Sequence, residues 1–294
     1  MIARRRFLAI AAAALARPAR AETAAWQGRA FGAEARITLS GPRGLPGATL
    51  ARIGAEIERI ERLFSLARPD SALVALNAAG RLDPAPPDLL DLLGVAGRVH
   101  LATGGLFDPT VQPLWRALAE GRDPVPARAA IGWDRVRVSG QGVALEPGQA
   151  LTLNGIAQGW AADRIRALLA AAGFTRALVD MGEFAALGGP WRLAVEDPGL
   201  GRIGHRTLLG GAMATSSPGA LRLGAETHIL GPRGERPCWS TISLRSQSAA
   251  LADAAATALV LAPRDELPAI LARLPEPVAV LAVSPGGEVE SFAT

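Results

Sequence analysis

The segment Ala249–Ala262, AALADAAATALVLA, constrains the fold more than any other stretch of this 294-residue chain. Apart from Asp253 and Thr257 it holds only Ala, Leu and Val. A helix that is apolar all round belongs inside a core, and this one is too short to cross a bilayer. Asp253 and Thr257 stand four positions apart, so they share one helix face, about 6 Å apart along the axis. A carboxylate and a hydroxyl are hard oxygen donors, suited to Mg²⁺ or Ca²⁺ rather than zinc. Two local readings stay open beside that one. Asp253 could cap a helix starting at Ala254, and Thr257 could bond the carbonyl four residues back.

Around this segment, helical and strand patterns alternate. Trp26–Leu39 reads as one strand, with Ala35, Ile37 and Leu39 alternating against Arg36 and Thr38. Ile53, Ile57, Ile60 and Phe64 recur at helical spacing, and Asp88–Thr103 is a second amphipathic helix. Residues 71–79 are either a short helix or irregular, and PLWRALAEG is helical. Ile131–Leu145 reads as a strand pair around SGQG. ALTLNGIAQGWAADRIRALLAAAG reads as strand, turn and helix, with Gly173 as the helix stop. Further strands are expected at ALVDMG, WRLAVEDP, GAMATSS, THILGP, CWSTISLRS and, last, VAVLAVS, with a helix at DELPAILARL. The pattern favours a mixed α+β or α/β domain over a clean parallel sheet.

The first 21 residues, MIARRRFLAIAAAALARPARA, have a basic start, a short apolar run and a small-x-small end. They read as a secretory signal peptide cut before Glu22, leaving one domain over 22–294. Arg4-Arg5-Arg6-Phe7-Leu8 fits the twin-arginine pattern, so a periplasmic protein without a membrane anchor is expected. The chain is formally +4 and the leader carries five arginines and no acid, so the mature chain sits near −1. Its arginines are scattered among acids, with no basic stripe for nucleic acid. One cysteine, Cys238, excludes an internal disulfide and a cysteine-based zinc site.

Familiar catalytic signatures are absent. The chain has no lysine for a P-loop, no G-x-S-x-G elbow and no G-x-G-x-x-G after a strand. His100, His205 and His228 lack zinc spacing. What remains are glycine-bounded polar turns: TGGLFDPT, LNGIAQGW and ATSSPG. Such turns can aim N–H groups at phosphates or simply satisfy their own backbone.

Taken together, in order, these blocks resemble the ApbE family of FAD:protein FMN transferases. FSLARPDSALVALN looks like its early block and TGGLFDPT its T-G-G-x-F-D-P-T block. LNGIAQGWAADRI is similar to L-G-G-I-A-K-G-Y-A-x-D, and LVDMGEFAALG to V-D-x-G-G. THILGPRGERP is similar to H-I-x-D-P-R-x-G-x-P, and LADAAATAL to A-D-A-x-A-T-A.

The resemblance implies an ApbE-like, T-fold-related α+β domain with interleaved helices and mostly antiparallel strands. It implies Mg²⁺-dependent transfer of FMN from FAD to a Thr or Ser of a flavoprotein, with release of AMP. Asp253, Thr257 and the Ala157 carbonyl would hold the metal. Phe31, Leu106, Phe107, Asp108, Asn154, Trp160, Thr215 and Ile229 would contact FAD. His228 would be a base or a nucleotide contact. The export signal and LNGIAQGW look like the NosX-type branch, implying an S/T-G-A-T-type acceptor such as the membrane regulator of nitrous oxide reductase. A non-turnover flavin carrier and an FAD pyrophosphatase are the alternatives. PGATL at Pro46–Leu50 echoes an acceptor sequence, so self-modification at Thr49 is a further expectation. The sequence departs from the family at Asn154, Gln158, Trp160, Ala67 and Phe31. It also departs at Gly231, which takes the place of the Asp in H-I-x-D-P.

Overall fold

The computed structural model describes residues 23–40 and 46–294; the expected leader lies outside them. Eight strands form the main sheet and are numbered along the chain. They are β1 Thr23–Ala30, β2 Ala33–Ser40, β3 Ala177–Asp180, β4 Phe184–Leu187, β5 Gly211–Ser216, β6 Thr241–Ser246, β7 Ala279–Val283 and β8 Val289–Ala293. Their order in the sheet is their order in the chain. Every neighbouring pair is antiparallel. The expected mixed α+β architecture with antiparallel strands is what the chain adopts.

The helices lie on the excursions between strands. Between β2 and β3 run α1 Gly47–Phe64, α2 Ala72–Ala79, α3 Pro87–Ala102, α4 Gln112–Ala119, α5 Val125–Ala129 and α6 Ala157–Ala171. Between β6 and β7 run α7 Ala249–Leu259 and α8 Leu267–Leu271. Between β4 and β5 the chain forms a hairpin, Trp191–Asp197 against Gly201–Leu208.

Strand alternation assigns the two faces. Ile37, Val179, Ala185, Ala214, Ile242, Leu244 and Ala282 face the helices and share one core with α7. Leu178, Phe184, Ala186 and Met213 face the other way, under Trp191, Leu193 and Leu208 of the hairpin. The alanine-rich segment is therefore the middle of the molecule: from Ala249 to Leu259 every residue is buried except half-buried Thr257.

Several expectations need correction. Trp26–Leu39 is a hairpin, not one strand: the chain reverses at Phe31 (φ 52°) and Gly32 (φ 79°), pairing Ala30 with Ala33. Two residues with positive φ are the hallmark of a tight hairpin turn. A phenylalanine there is strained; its N–H donates to Glu61 Oε1 at 2.7 Å, and its ring packs on the core. No strand forms at Ala150–Leu153. Of THILGP only Thr227 is in a strand, the two-residue piece Glu226–Thr227. Within Ile131–Leu145 only the short pairing of Arg137–Val138 with Val143–Ala144 forms. The α6 C-cap is Ala172, with Gly173 one residue beyond. β4, the second hairpin strand and β8 went unpredicted: β4 is short and apolar on both faces, and the other two are largely polar. Thr49 lies buried in the first turn of α1, its N–H bonded to the Pro46 carbonyl at 2.9 Å, so it does not present a free acceptor loop.

The packing of α6 on α7 depends on one missing side chain. A Cβ at Gly159 would sit inside the Ala249 carbonyl. Gly159→Ala should therefore destabilise the protein by about 1–3 kcal/mol or more in urea denaturation, the scale of overpacking. Gly54 is exposed on α1 with open space around its Cβ position, so Gly54→Ala should stabilise by roughly 0.5–1 kcal/mol in the same measurement.

Candidate functional site

The site is built where the first turn of α6 meets the middle of α7. α7 starts at Ser248, whose hydroxyl accepts from the Leu251 N–H at 3.2 Å. Asp163, on α6, reinforces that start: its Oδ2 accepts from Ser248 Oγ at 2.9 Å and from the Ala250 N–H at 3.1 Å. Arg166 pairs with Asp163 at 2.8 Å and donates to the carbonyls of Gly211 and Gln247, both at 3.0 Å. So Asp253 is not a cap; it stands a full turn inside the helix. Its Oδ2 accepts from the Gly159 N–H at 3.1 Å. Asp163 closes the LNGIAQGWAAD block, and nothing in its spacing shows that it reaches across to α7.

Thr257 stands one turn further along the same face. Its hydroxyl lies 3.3 Å from Ser216 Oγ at the end of β5 rather than on its own helix carbonyl. A Cβ at Gly155 would meet Thr257 Oγ1 at 3.0 Å, so the turn before α6 lies directly against it. Ala157 is the first residue of α6, buried, with its N–H on the Leu153 carbonyl at 2.8 Å. Gly155 and Gly159, on either side of Ala157, thus lie against Thr257 and Asp253 in turn. Asn154 is exposed at the mouth of the turn. Trp160 is half-buried, edge-on to Phe64 at 6.4 Å, and its indole N–H has no partner.

Two carboxylates that the sequence reading passed over flank the site. Glu183, just before β4, is buried, and its Oε2 accepts from the Thr215 N–H at 3.0 Å. Asp180 ends β3 and accepts from the Gly182 N–H at 3.1 Å. Burial pushes Asp253 up to about 7 against the Gly159 N–H, and Asp180 up to about 6 against the Gly182 N–H and the Arg36 charge. Burial and the neighbouring Asp253 charge raise Glu183 well above the usual carboxylate range. The detectable signal was a Glu opening an otherwise apolar strand, in DMGEFAAL.

Neither Asp253 nor Glu183 forms an ion pair among the described residues. Buried charges are ordinarily paired or bound to a cation, so this pair and its hydroxyls fit a hard divalent ion. No three His, Cys, Asp or Glu cluster at metal-binding separation among the described residues. Carbonyl, hydroxyl or substrate oxygens would complete the shell.

The other expected contacts have their own local partners. Leu106 and Phe107 are buried in the core. Asp108 is a strut: Oδ1 accepts from the Thr110 N–H at 2.8 Å and its hydroxyl at 2.6 Å, and Oδ2 from the Trp133 N–H at 3.2 Å. That leaves its carboxylate occupied within its own loop. Thr215 offers its backbone to Glu183, while its hydroxyl bonds Ser243 Oγ at 3.1 Å. His228 Nδ1 lies 3.2 Å from the Leu221 carbonyl, which can only accept, so Nδ1 carries the proton. Burial lowers its pKa, opposed by the Leu221 and Pro218 carbonyls, and keeps the ring neutral. Ile229 packs on the core. No hydrogen bond among the described residues links His228 or Asp108 to Asp253. Arg233 ties its loop to the TGG turn through the Gly104 carbonyl at 2.8 Å.

The ApbE family model matches residues 31–282. An FAD:protein FMN transferase from Rhodobacter capsulatus is 31% identical over 276 residues, covering 83% of this chain and 52% of that protein. One from Klebsiella pneumoniae is 28% identical over 172 residues, covering 50% of this chain and 49% of that one. The chain thus spans about half the length of the curated relatives it matches. Among solved structures, the flavin transferase ApbE from Vibrio cholerae superposes with TM-score 0.79 at 22% identity, covering 94% of this chain and 98% of that one. An ApbE protein from Thermotoga maritima gives 0.79 at 24% identity, covering 92% and 96%. At that identity the solved structures establish the shared fold.

The Asp253 shift makes stability depend on pH. Its folded pKa, about 7, exceeds its unfolded value of 3.8. The native state therefore holds the proton more tightly, and this contribution, complete below about pH 4, is lost as pH rises to 7. In chelator, Asp253→Asn should gain stability relative to wild type across that window, on the order of a few kcal/mol. Denaturant titrations of both proteins at pH 4, 5.5 and 7.5 measure it; a gap constant with pH would contradict the assignment.

Proposed function

The chain belongs to the ApbE family, and on that premise we propose that it transfers FMN from FAD to a threonine or serine of an acceptor flavoprotein, releasing AMP. The reading rests on one observation: a buried, unpaired Asp253 carboxylate beneath the glycine-bounded turn that opens α6. The acceptor hydroxyl oxygen attacks the FMN-side phosphorus. The bond from that phosphorus to the bridging oxygen breaks, AMP leaves with that oxygen, and the hydroxyl proton passes to a base. A Mg²⁺ ion held by Asp253, Thr257 and the Ala157 carbonyl would supply charge neutralisation on the phosphate oxygens.

The protein's own groups do the rest. The positive end of α6 faces the same turn and favours anionic oxygens. The Gly159 N–H fixes which Asp253 oxygen stays inside, leaving the other for a ligand. His228, neutral with Nδ1–H held on a carbonyl, has the Nε2 lone pair as proton acceptor. In this reading the leader exports the protein by the twin-arginine route to the periplasm. The acceptor there carries an S/T-G-A-T-type threonine, as on a membrane regulator of nitrous oxide reductase. Among the described residues no helix is long and apolar enough to cross a membrane.

Incubation with FAD, Mg²⁺ and an acceptor domain bearing an S-G-A-T threonine should give in-gel flavin fluorescence and the mass gain of FMN. Asp253→Asn should lower the rate by about 10²–10³, the scale of losing one key electrostatic group. FAD left intact with no adduct overturns the reading. AMP release without an adduct replaces it with a pyrophosphatase.

A further inference from the structure

Glu183 stands where the V-D-x-G-G segment would place its second glycine, in Val179-Asp180-Met181-Gly182-Glu183.

The position of Glu183 is bracketed from two sides. On one side, Gly182 packs directly against the Gln158 amide, so residue 182 touches the residue between Ala157 and Gly159. On the other, Glu183 Oε2 is fixed to the Thr215 N–H, next to Ser216, whose hydroxyl meets Thr257. Both sides of the bracket are parts of the Asp253–Thr257 site. Glu183 lies in the bend just before β4, and the Asp253 charge is among those acting on it, which sets the two acids side by side. It is buried, uses one oxygen on a backbone N–H and has no arginine partner among the described residues.

We propose that Glu183 is a further ligand of the divalent cation held by Asp253 and Thr257. The proposal rests on the cation site in the functional reading above. It differs from that reading in what it assigns: a second carboxylate on the sheet side of the ion, facing Asp253 on the helix side. Two carboxylates and a hydroxyl suit a hard, oxygen-seeking ion, and a second charge raises affinity for it.

The test is Mn²⁺ binding to the purified chain without FAD, read by the free-ion signal in electron paramagnetic resonance. Glu183→Gln keeps an oxygen for the Thr215 N–H, so the fold contact survives the loss of charge. Wild type should bind one ion, Asp253→Asn should lose it, and Glu183→Gln should bind at least tenfold more weakly with unchanged melting in chelator. If Glu183→Gln binds as tightly as wild type, the Glu183 assignment is overturned and the Asp253 site stands. If wild type binds no Mn²⁺, both fall. Should Glu183→Gln not fold, the Mn²⁺-induced rise in melting temperature of Glu183→Asp decides: a rise equal to wild type overturns the assignment, and a smaller one supports it.

Discussion

The contact between the Gly159 N–H and the Asp253 carboxylate organises the protein. It joins the first turn of α6 to the second turn of α7, two helices whose backbones come so close that a methyl group at residue 159 would overlap the Ala249 carbonyl. That proximity places the turn around Gly155 against Thr257 and the N-terminus of α6 beside a carboxylate. An amide donor shared with a buried acid is a strong interaction in a low-dielectric interior. It is also an incomplete one, because a single N–H does not replace the water lost by a carboxylate.

The surrounding residues hold this arrangement rather than relieve it. Asp163 and Arg166 fix the start of α7 by ordinary paired interactions at its rim. The arginine stays there and does not reach Asp253. The interior is thus left acidic on the helix side and, through Glu183, on the sheet side. Alanine at 253, as at most positions of α7, would bury no acid there. An uncompensated acid in an otherwise apolar helix fits a partner that arrives from solution.

Much of this was legible in the sequence. The alanine segment required a central helix, and Asp253 and Thr257 could be read onto one face because helical spacing is local information. The amphipathic helices α1 and α3 were legible for the same reason. What escaped were features set by distant pairing. The reversal at Phe31 was hidden because the apolar alternation runs through the turn, and a phenylalanine gives no warning of positive φ. Asp108 read as a ligand contact because its block is distinctive; that it also accepts from Thr110 and Trp133 depends on the folded loop. Glu183 was missed because its significance depends on β4 lying beside β5, which no window of sequence shows.

The strand order carries a consequence for how the molecule forms. Because strands follow one another across the sheet as they do along the chain, each hairpin edge, β1 with β2 and β7 with β8, can close locally. The centre cannot: β2 meets β3 only after the whole helical excursion from α1 to α6 has been gathered in. Closing so long a loop is slow relative to local pairing. The cluster of Gly159, Asp253, Thr257 and Glu183 draws on α6, α7 and the sheet beyond that junction, so it forms only once the junction has closed. A ligand seated there would stabilise the entire fold by mass action rather than any one loop, and its occupancy would mark a finished protein.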